Sequence, residues 1–263
     1  MCETARRTVL QKVSLKMDYP SGQLNIDDSP TKFGLTPSLS DRYRRLEMSL
    51  LVETVLVTIA TVSVIRILTT SSIAGSAWFV APGILVIAAL VPPAIGRRGF
   101  VRIGFDIKQV KSTLLVVCWT CVAVFPAMFG GLWLLKFYGL PLPLLPALPR
   151  GQSWIYWLFY QFMYVAVAEE VFFRGYLQNN ILRLASKLPG RQHSLQSWIS
   201  IGVSAACFAA AHIIVHGEIM LALTFLPGLI LGWLFVRTRS LLAPILFHGL
   251  ANTFYCVMTV AFA

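Results

Sequence analysis

Seven apolar segments follow one another along the chain after a polar N-terminal region. They cover residues 49–65, 77–95, 113–135, 154–175, 198–215, 219–236 and 241–263. A helix of about 20 apolar residues crosses the hydrocarbon core of a bilayer. The pattern therefore predicts an all-α, polytopic membrane bundle of about seven transmembrane helices over residues 48–263. Residues 1–47 carry scattered Pro, Gly, Ser and Asp instead, and we expect a mostly disordered cytoplasmic tail there.

The composition supports a membrane protein and argues against a soluble enzyme. Of the 263 residues, 57% are hydrophobic and 13% are charged, whereas about a quarter of the residues of a soluble domain are charged. Cys118, Cys121, Cys207 and Cys256 all lie in apolar runs. We expect them to pack as small side chains rather than to form a disulfide framework.

The net charge of +11 is carried by alternate loops. Basic residues flank the first segment and follow the second, fourth and sixth, at Arg42, Arg44, Arg45, Arg97, Arg98, Arg102, Lys108, Lys111, Arg183, Lys187, Arg191, Arg237 and Arg239. The loops of the other side hold only Arg66, Lys136 and Arg150. Because cytoplasmic loops are enriched in Lys and Arg, this predicts a cytoplasmic N-terminus and an external C-terminus. This rule accounts for the net positive charge, so nucleic-acid binding is not needed to explain it. No nucleic-acid-binding module is visible in the sequence.

Ionisable residues inside a membrane are costly and are therefore functional candidates. They form three groups, Glu169 with Glu170 and Arg174, then His212, then His248 with Asn252. Glu53 stands alone in the first segment, where we expect a structural polar contact.

Helical spacing separates the two glutamates. Glu170 and Arg174 are i,i+4 and can pair, whereas Glu169 points about 100° away and is available as a general base. His248 and Asn252 are also i,i+4, so their donors can converge on a developing oxyanion. The alternative is a buried ion-pair network without catalysis.

The residues that other classes of intramembrane protease require are absent. The predicted spans contain no Asp, and the chain has neither G-x-S-x-G nor H-E-x-x-H. Two alternatives remain open. A transporter with a proton relay would normally show two related halves with broken helices, which we do not find. A zinc protease could use Glu169, His212 and His248 as ligands, although His248 is spaced from Asn252 rather than from a second histidine.

Three motifs in this order resemble those of the CPBP family, the CAAX prenyl endopeptidases of the Rce type with their bacteriocin-processing and Abi-type bacterial relatives. They are E-E-x-x-x-R at residues 169–174, F-x-x-x-H at residues 208–212 and H-x-x-x-N at residues 248–252. The resemblance covers about residues 100–256, taken as the protease core. Arg239 departs from it, since such members often have glycine there.

The resemblance implies a glutamic intramembrane endopeptidase that cuts near the membrane surface in a CAAX-protease-like manner. Glu169 and His212 would activate a water, His248 and Asn252 would bind the oxyanion, and Glu170 with Arg174 would hold the helix and tune Glu169. The substrate would be a peptide or protein, with a lipidated end or a C-terminal membrane segment as candidate forms. The membrane would be a bacterial plasma membrane. No cofactor is expected, with zinc as the alternative, and a non-catalytic immunity or scaffold protein of the same fold is the other alternative.

The depths of these residues conflict. Counting from the cytoplasmic ends of the predicted spans puts Glu169, His248 and His212 roughly 8, 10 and 20 Å deep. They can meet only if the fifth helix begins late, tilts or lines a deep cavity.

Overall fold

The computed structural model describes residues 39–71, 74–96, 107–140, 153–187 and 193–262. Residues 1–38 of the predicted tail lie outside these ranges, whereas residues 39–47 are helical. Within the described ranges the backbone is helical and contains no β-strand, which confirms the predicted all-α bundle.

Seven helices lie in the described part of the chain. They are α1 (Leu39–Thr70), α2 (Ala74–Ile95), α3 (Ile107–Phe137), α4 (residues 154–185), α5 (His193–His216), α6 (Phe225–Thr238) and α7 (Leu242–Phe262). A 3₁₀ helix, Ile219–Thr224, leads into α6. Each corresponds to one predicted apolar segment, and most run further than the hydropathy alone indicates.

Five stretches of the described residues are long and apolar enough to cross a membrane. They are Arg44–Thr70, Val110–Phe137, His193–His216, Ile219–Thr238 and Leu242–Phe262. Phe79–Ile95 of α2 is apolar but shorter. The protein is therefore an integral membrane protein.

The fourth helix changes its geometry along its length. It is α-helical at Trp154–Phe159, π-helical at Tyr160–Ala166, α-helical at Val167–Glu170, π-helical at Val171–Gln178 and α-helical again at Asn179–Ala185. The single α-helical turn between the two π segments carries both glutamates. π-Helical turns are rare and are frequently found at functional sites.

The fourth helix also continues ten residues beyond its predicted end at residue 175, because its polar side chains have partners in the bundle. The Gln178 amide donates to the Gly232 carbonyl at 3.0 Å, and the Asn180 amide donates to the Thr54 hydroxyl at 3.2 Å. Glu169 consequently lies about 24 Å from the C-terminal end of α4, not 8 Å. This difference brings the counted depth of Glu169 close to that of His212.

The core surrounds α4, which packs against α1, α2, α5, α6 and α7. Phe172, Tyr176, Phe208 and Leu241 are buried in its main apolar cluster. A second cluster joins α3, α6 and α7 around Leu231, Leu234 and Phe247. The resulting packing holds the glutamate-bearing turn in the middle of the bundle.

Candidate active site

A cavity of about 270 Å³ lies among α1, α2, α4, α5 and α7. Glu169, His212, His248 and Asn252, the four residues expected to act on the substrate, all line it. The rest of its wall is largely apolar and includes Val62, Ile65, Leu85, Val165, Phe173, Ala211 and Val215. The structure thus brings together four polar side chains that are up to 83 positions apart in the sequence.

Glu169 presents a carboxylate oxygen to this cavity. Its side chain is 18% exposed, and its buried Oε2 has no hydrogen-bond partner among the described residues. The nearest basic atom is Nε2 of His248 at 3.7 Å, which is beyond a direct hydrogen bond. Because a buried acceptor without a partner is costly, such an oxygen is available to a water or a substrate.

Glu170 and Arg174 form the ion pair expected from their spacing. Both side chains are fully buried, with Nη1 of Arg174 3.0 Å from Oε1 of Glu170. Arg174 also donates through Nη2 to the carbonyl of Gly228 at 3.3 Å. Its guanidinium lies 4.7 Å from the centre of the Phe208 ring, within range of a cation–π contact. One side chain of α4 therefore links α5 and α6.

The same carboxylate also binds His248, which was not predicted. Nδ1 of His248 is 2.7 Å from Oε1 of Glu170. An ionised carboxylate only accepts, so Nδ1 donates and Nε2 turns toward Glu169 and the cavity. The two residues are 78 positions apart, and no local spacing indicates their contact.

Asn252 has a partner that no sequence pattern indicates. Its Nδ2 donates to Oε1 of Gln161, in the first π segment of α4, at 2.9 Å. Gln161 also lines the cavity. An amide in an otherwise apolar and aromatic run was the available signal, although nothing in the sequence connects it with Asn252. Since an amide nitrogen has two N–H groups, Asn252 keeps one for another acceptor.

His212 is oriented by its own helix. Its Nδ1 lies 3.0 Å from the backbone carbonyl of Phe208. A carbonyl oxygen accepts, so Nδ1 donates and Nε2 of the neutral ring is an acceptor. His216 is exposed one turn further on, at the end of α5. Glu53, the remaining charged residue of the predicted spans, lies outside the cavity and accepts from the Tyr176 hydroxyl at 3.4 Å.

The alternative zinc set does not fit this arrangement. Among the described residues, no three His, Cys, Asp or Glu side chains converge in a way that could hold a metal ion. We therefore derive no chemical step through a metal.

Comparison with protein families gives a match that contains the cavity residues of α4, α5 and α7. The family model described as "Type II CAAX prenyl endopeptidase Rce1-like" matches residues 151–254. Neither the curated proteins nor the solved structures contain a match to this chain.

Proposed function

We propose that the chain is a glutamic intramembrane endopeptidase of the CPBP family of membrane proteases, the family that its three motifs predicted and that the match over residues 151–254 supports. The observation that carries the proposal is the cavity in which Glu169, His212, His248 and Asn252 meet. A partly exposed carboxylate with one buried oxygen that has no partner, facing hydrogen-bond donors across a largely apolar space, is suited to activating water.

In the proposed reaction a water lies between Glu169 and Nε2 of His212. Glu169 takes one proton as the water oxygen attacks the carbonyl carbon of the substrate. The tetrahedral intermediate carries its negative charge on the former carbonyl oxygen, near Asn252 and His248. When the intermediate collapses, Glu169 returns the proton to the amide nitrogen, the C–N bond breaks, and an amine and a carboxylic acid leave.

The hydrogen bond to Glu170 decides what His248 can do. Because its Nδ1 proton points at Glu170, Nε2 carries a proton only when the ring is positively charged. In the oxyanion-binding role His248 is therefore an imidazolium between two carboxylates. Its charge would strengthen the hydrogen bond to the oxyanion.

The substrate that we propose is a peptide or protein segment that reaches the cavity from within the bilayer, with a lipidated end or a C-terminal membrane segment. The apolar wall formed by α1, α2 and α5 supports an apolar substrate chain. We place the protein in a bacterial plasma membrane with its N-terminus in the cytoplasm. This rests on the loop charges.

The test compares peptides in membranes that contain the wild-type protein or Glu169→Gln. Glu169→Gln keeps the shape of the side chain but cannot take a proton, so products present with the wild type should disappear. Glu218→Gln, at an exposed position outside the cavity, is the matched control and should cleave like the wild type.

Two results would contradict the proposal. If the same products form with Glu169→Gln, the glutamate is not the base. If the wild type yields no product, the non-catalytic alternative gains support. A strong chelator should leave cleavage unchanged, whereas loss restored by stoichiometric zinc would favour the metalloprotease.

A further inference from the structure

The cavity is closed at one end of the bundle and open toward the other. Its deep wall is formed by the buried side chains of Leu85, Phe173 and His248. Along α5 the lining changes from Ala211, which is buried, to His216, which is exposed. Exposure therefore increases toward the C-terminal end of α5, and this end is the mouth of the cavity.

Four helix ends surround the mouth. The first helix ends here at Thr70 and α5 ends at His216, and their last turns are joined where Nη1 of Arg66 donates to the carbonyl of Val215 at 3.1 Å. The second and fourth helices begin at this end, and the first turns of the cavity wall on α4 are Tyr160 and Gln161. The mouth thus belongs to the end of the bundle that holds the connection from α1 to α2.

Aromatic side chains mark a membrane interface at the same end. The C-terminal turns of α3 expose Trp133 and Tyr138, and the first turn of α4 exposes Trp154 and Tyr156. Trp and Tyr are enriched at the level of the lipid headgroups because they are apolar with one polar tip. The mouth therefore lies close to one headgroup layer.

The charges of the connecting segments distinguish this end from the other. The start of α1 and the connections from α2 to α3, from α4 to α5 and from α6 to α7 hold most of the basic residues. Arg66, Lys136 and Arg150 are the only basic residues in the segments at the mouth end. Segments rich in Lys and Arg stay in the cytoplasm, so the mouth end faces away from it.

We infer that the catalytic cavity takes its substrate from the extracytoplasmic side of the membrane. The substrates would be exported or membrane-inserted polypeptides whose cleaved segment enters the cavity from the outer headgroup layer. This inference rests on the proposed function for the chemistry, but the side on which the cavity opens can be measured without any cleavage.

The first experiment measures access to the mouth in sealed bacterial spheroplasts that express the full chain. In a background with all five cysteines replaced, Thr69→Cys places a thiol in the cavity wall near the mouth. Arg237→Cys, at an exposed position of the basic end, is the matched control. A membrane-impermeant maleimide should label Thr69→Cys fully in sealed spheroplasts but label Arg237→Cys only after permeabilisation. The reverse pattern, or labelling of both from one side, would overturn the inference.

A second measurement needs no cysteine replacement. The last helix ends at the mouth end, where Nζ of Lys136 lies 3.2 Å from the carbonyl of Phe262. A phosphatase that is active only outside the cytoplasm, fused after Ala263, should therefore be active. A fusion that is inactive, while a fluorescent reporter at the same position matures, would overturn the inference.

The cleavage products separate this inference from the proposed function. Bonds that are cut by the wild type but not by Glu169→Gln should map to extracytoplasmic segments, and bonds in cytoplasmic segments would contradict the inference. If no bond depends on Glu169, the protease proposal fails, whereas the labelling pattern still decides on which side the cavity opens.

Discussion

At the scale of single residues, Asn252 and Gln161 are joined by a hydrogen bond, and in the proposed mechanism only Asn252 binds the reacting oxygen. Asn252→Ala removes the proposed donor and should lower turnover on the order of 10²–10³-fold with the protein still folded. Gln161→Ala should lower kcat by a smaller factor and leave KM unchanged, because Gln161 acts by orienting Asn252. Steady-state kinetics of the purified variants measures both effects.

The double variant checks that these two residues act together. If Gln161 acts only through Asn252, Asn252→Ala combined with Gln161→Ala should be no slower than Asn252→Ala alone. Multiplied losses in the double variant would show that Gln161 acts independently.

Substitutions of Arg174 and Glu169 should affect different properties. Arg174→Ala should lower stability, whereas Glu169→Gln should abolish activity and leave stability unchanged. Arg174→Ala breaks the buried ion pair and leaves Glu170 with His248 alone, at a cost of about 3–5 kcal/mol, so the melting temperature in detergent should fall. Glu169→Gln loses no hydrogen bond within the described residues and should melt like the wild type while being inactive. A wild-type melting temperature for Arg174→Ala would show that the pair does not stabilise the fold.

At the scale of helices, Gly249 determines how closely α7 approaches α4. A Cβ at this position would lie 2.4 Å from Cδ1 of Phe162, too close for any relaxed contact. Gly249→Ala should therefore destabilise the protein by about 1–3 kcal/mol. It should also disturb His248 and Asn252 on either side. Thermal unfolding and activity are the measurements.

Gly202 is the matched control for this substitution. It lies inside α5, and a Cβ there would meet nothing within 4 Å. Gly202→Ala should be neutral or stabilise the protein by about 0.5–1 kcal/mol, since alanine loses less conformational freedom in a helix. Equal effects at the two glycines would contradict the proposed steric role of Gly249.

The helices show what local patterns can predict. Apolar runs revealed each span, and i,i+4 spacing indicated that Glu170 can meet Arg174, because both depend on neighbouring positions. The first π segment of α4 left no such mark, since residues 160–166 contain neither proline nor glycine, whereas the second contains Gly175. The end of α4 was misjudged because Gln178 and Asn180 are polar and yet buried, and the side-chain amide of each donates to a distant helix.

At the scale of the whole molecule, the pairs that shape the site connect distant positions. His248 meets Glu170 and Asn252 meets Gln161 only because α7 packs along α4. A single sequence carries no direct sign of such pairs, although the ordered motifs indicated that Glu170, His248 and Asn252 belong to one site. The loop charges, in contrast, can be counted in the sequence alone. They indicate on which side of the membrane the cavity opens only after the structure has located its mouth.

The length of α4 can be compared with the thickness of the bilayer. Its 32 positions span about 48 Å as an ideal α-helix, whereas the hydrocarbon core is about 30 Å thick. A helix that is longer than the hydrocarbon core can tilt, or it can extend its polar last turns into water. The thickness of the lipid layer determines how much of each occurs. Acyl chain length should therefore move the glutamate-bearing turn relative to a substrate anchored in the same lipid. Turnover in proteoliposomes of graded chain length should pass through an optimum, and a flat profile would mean that protein packing alone sets that depth.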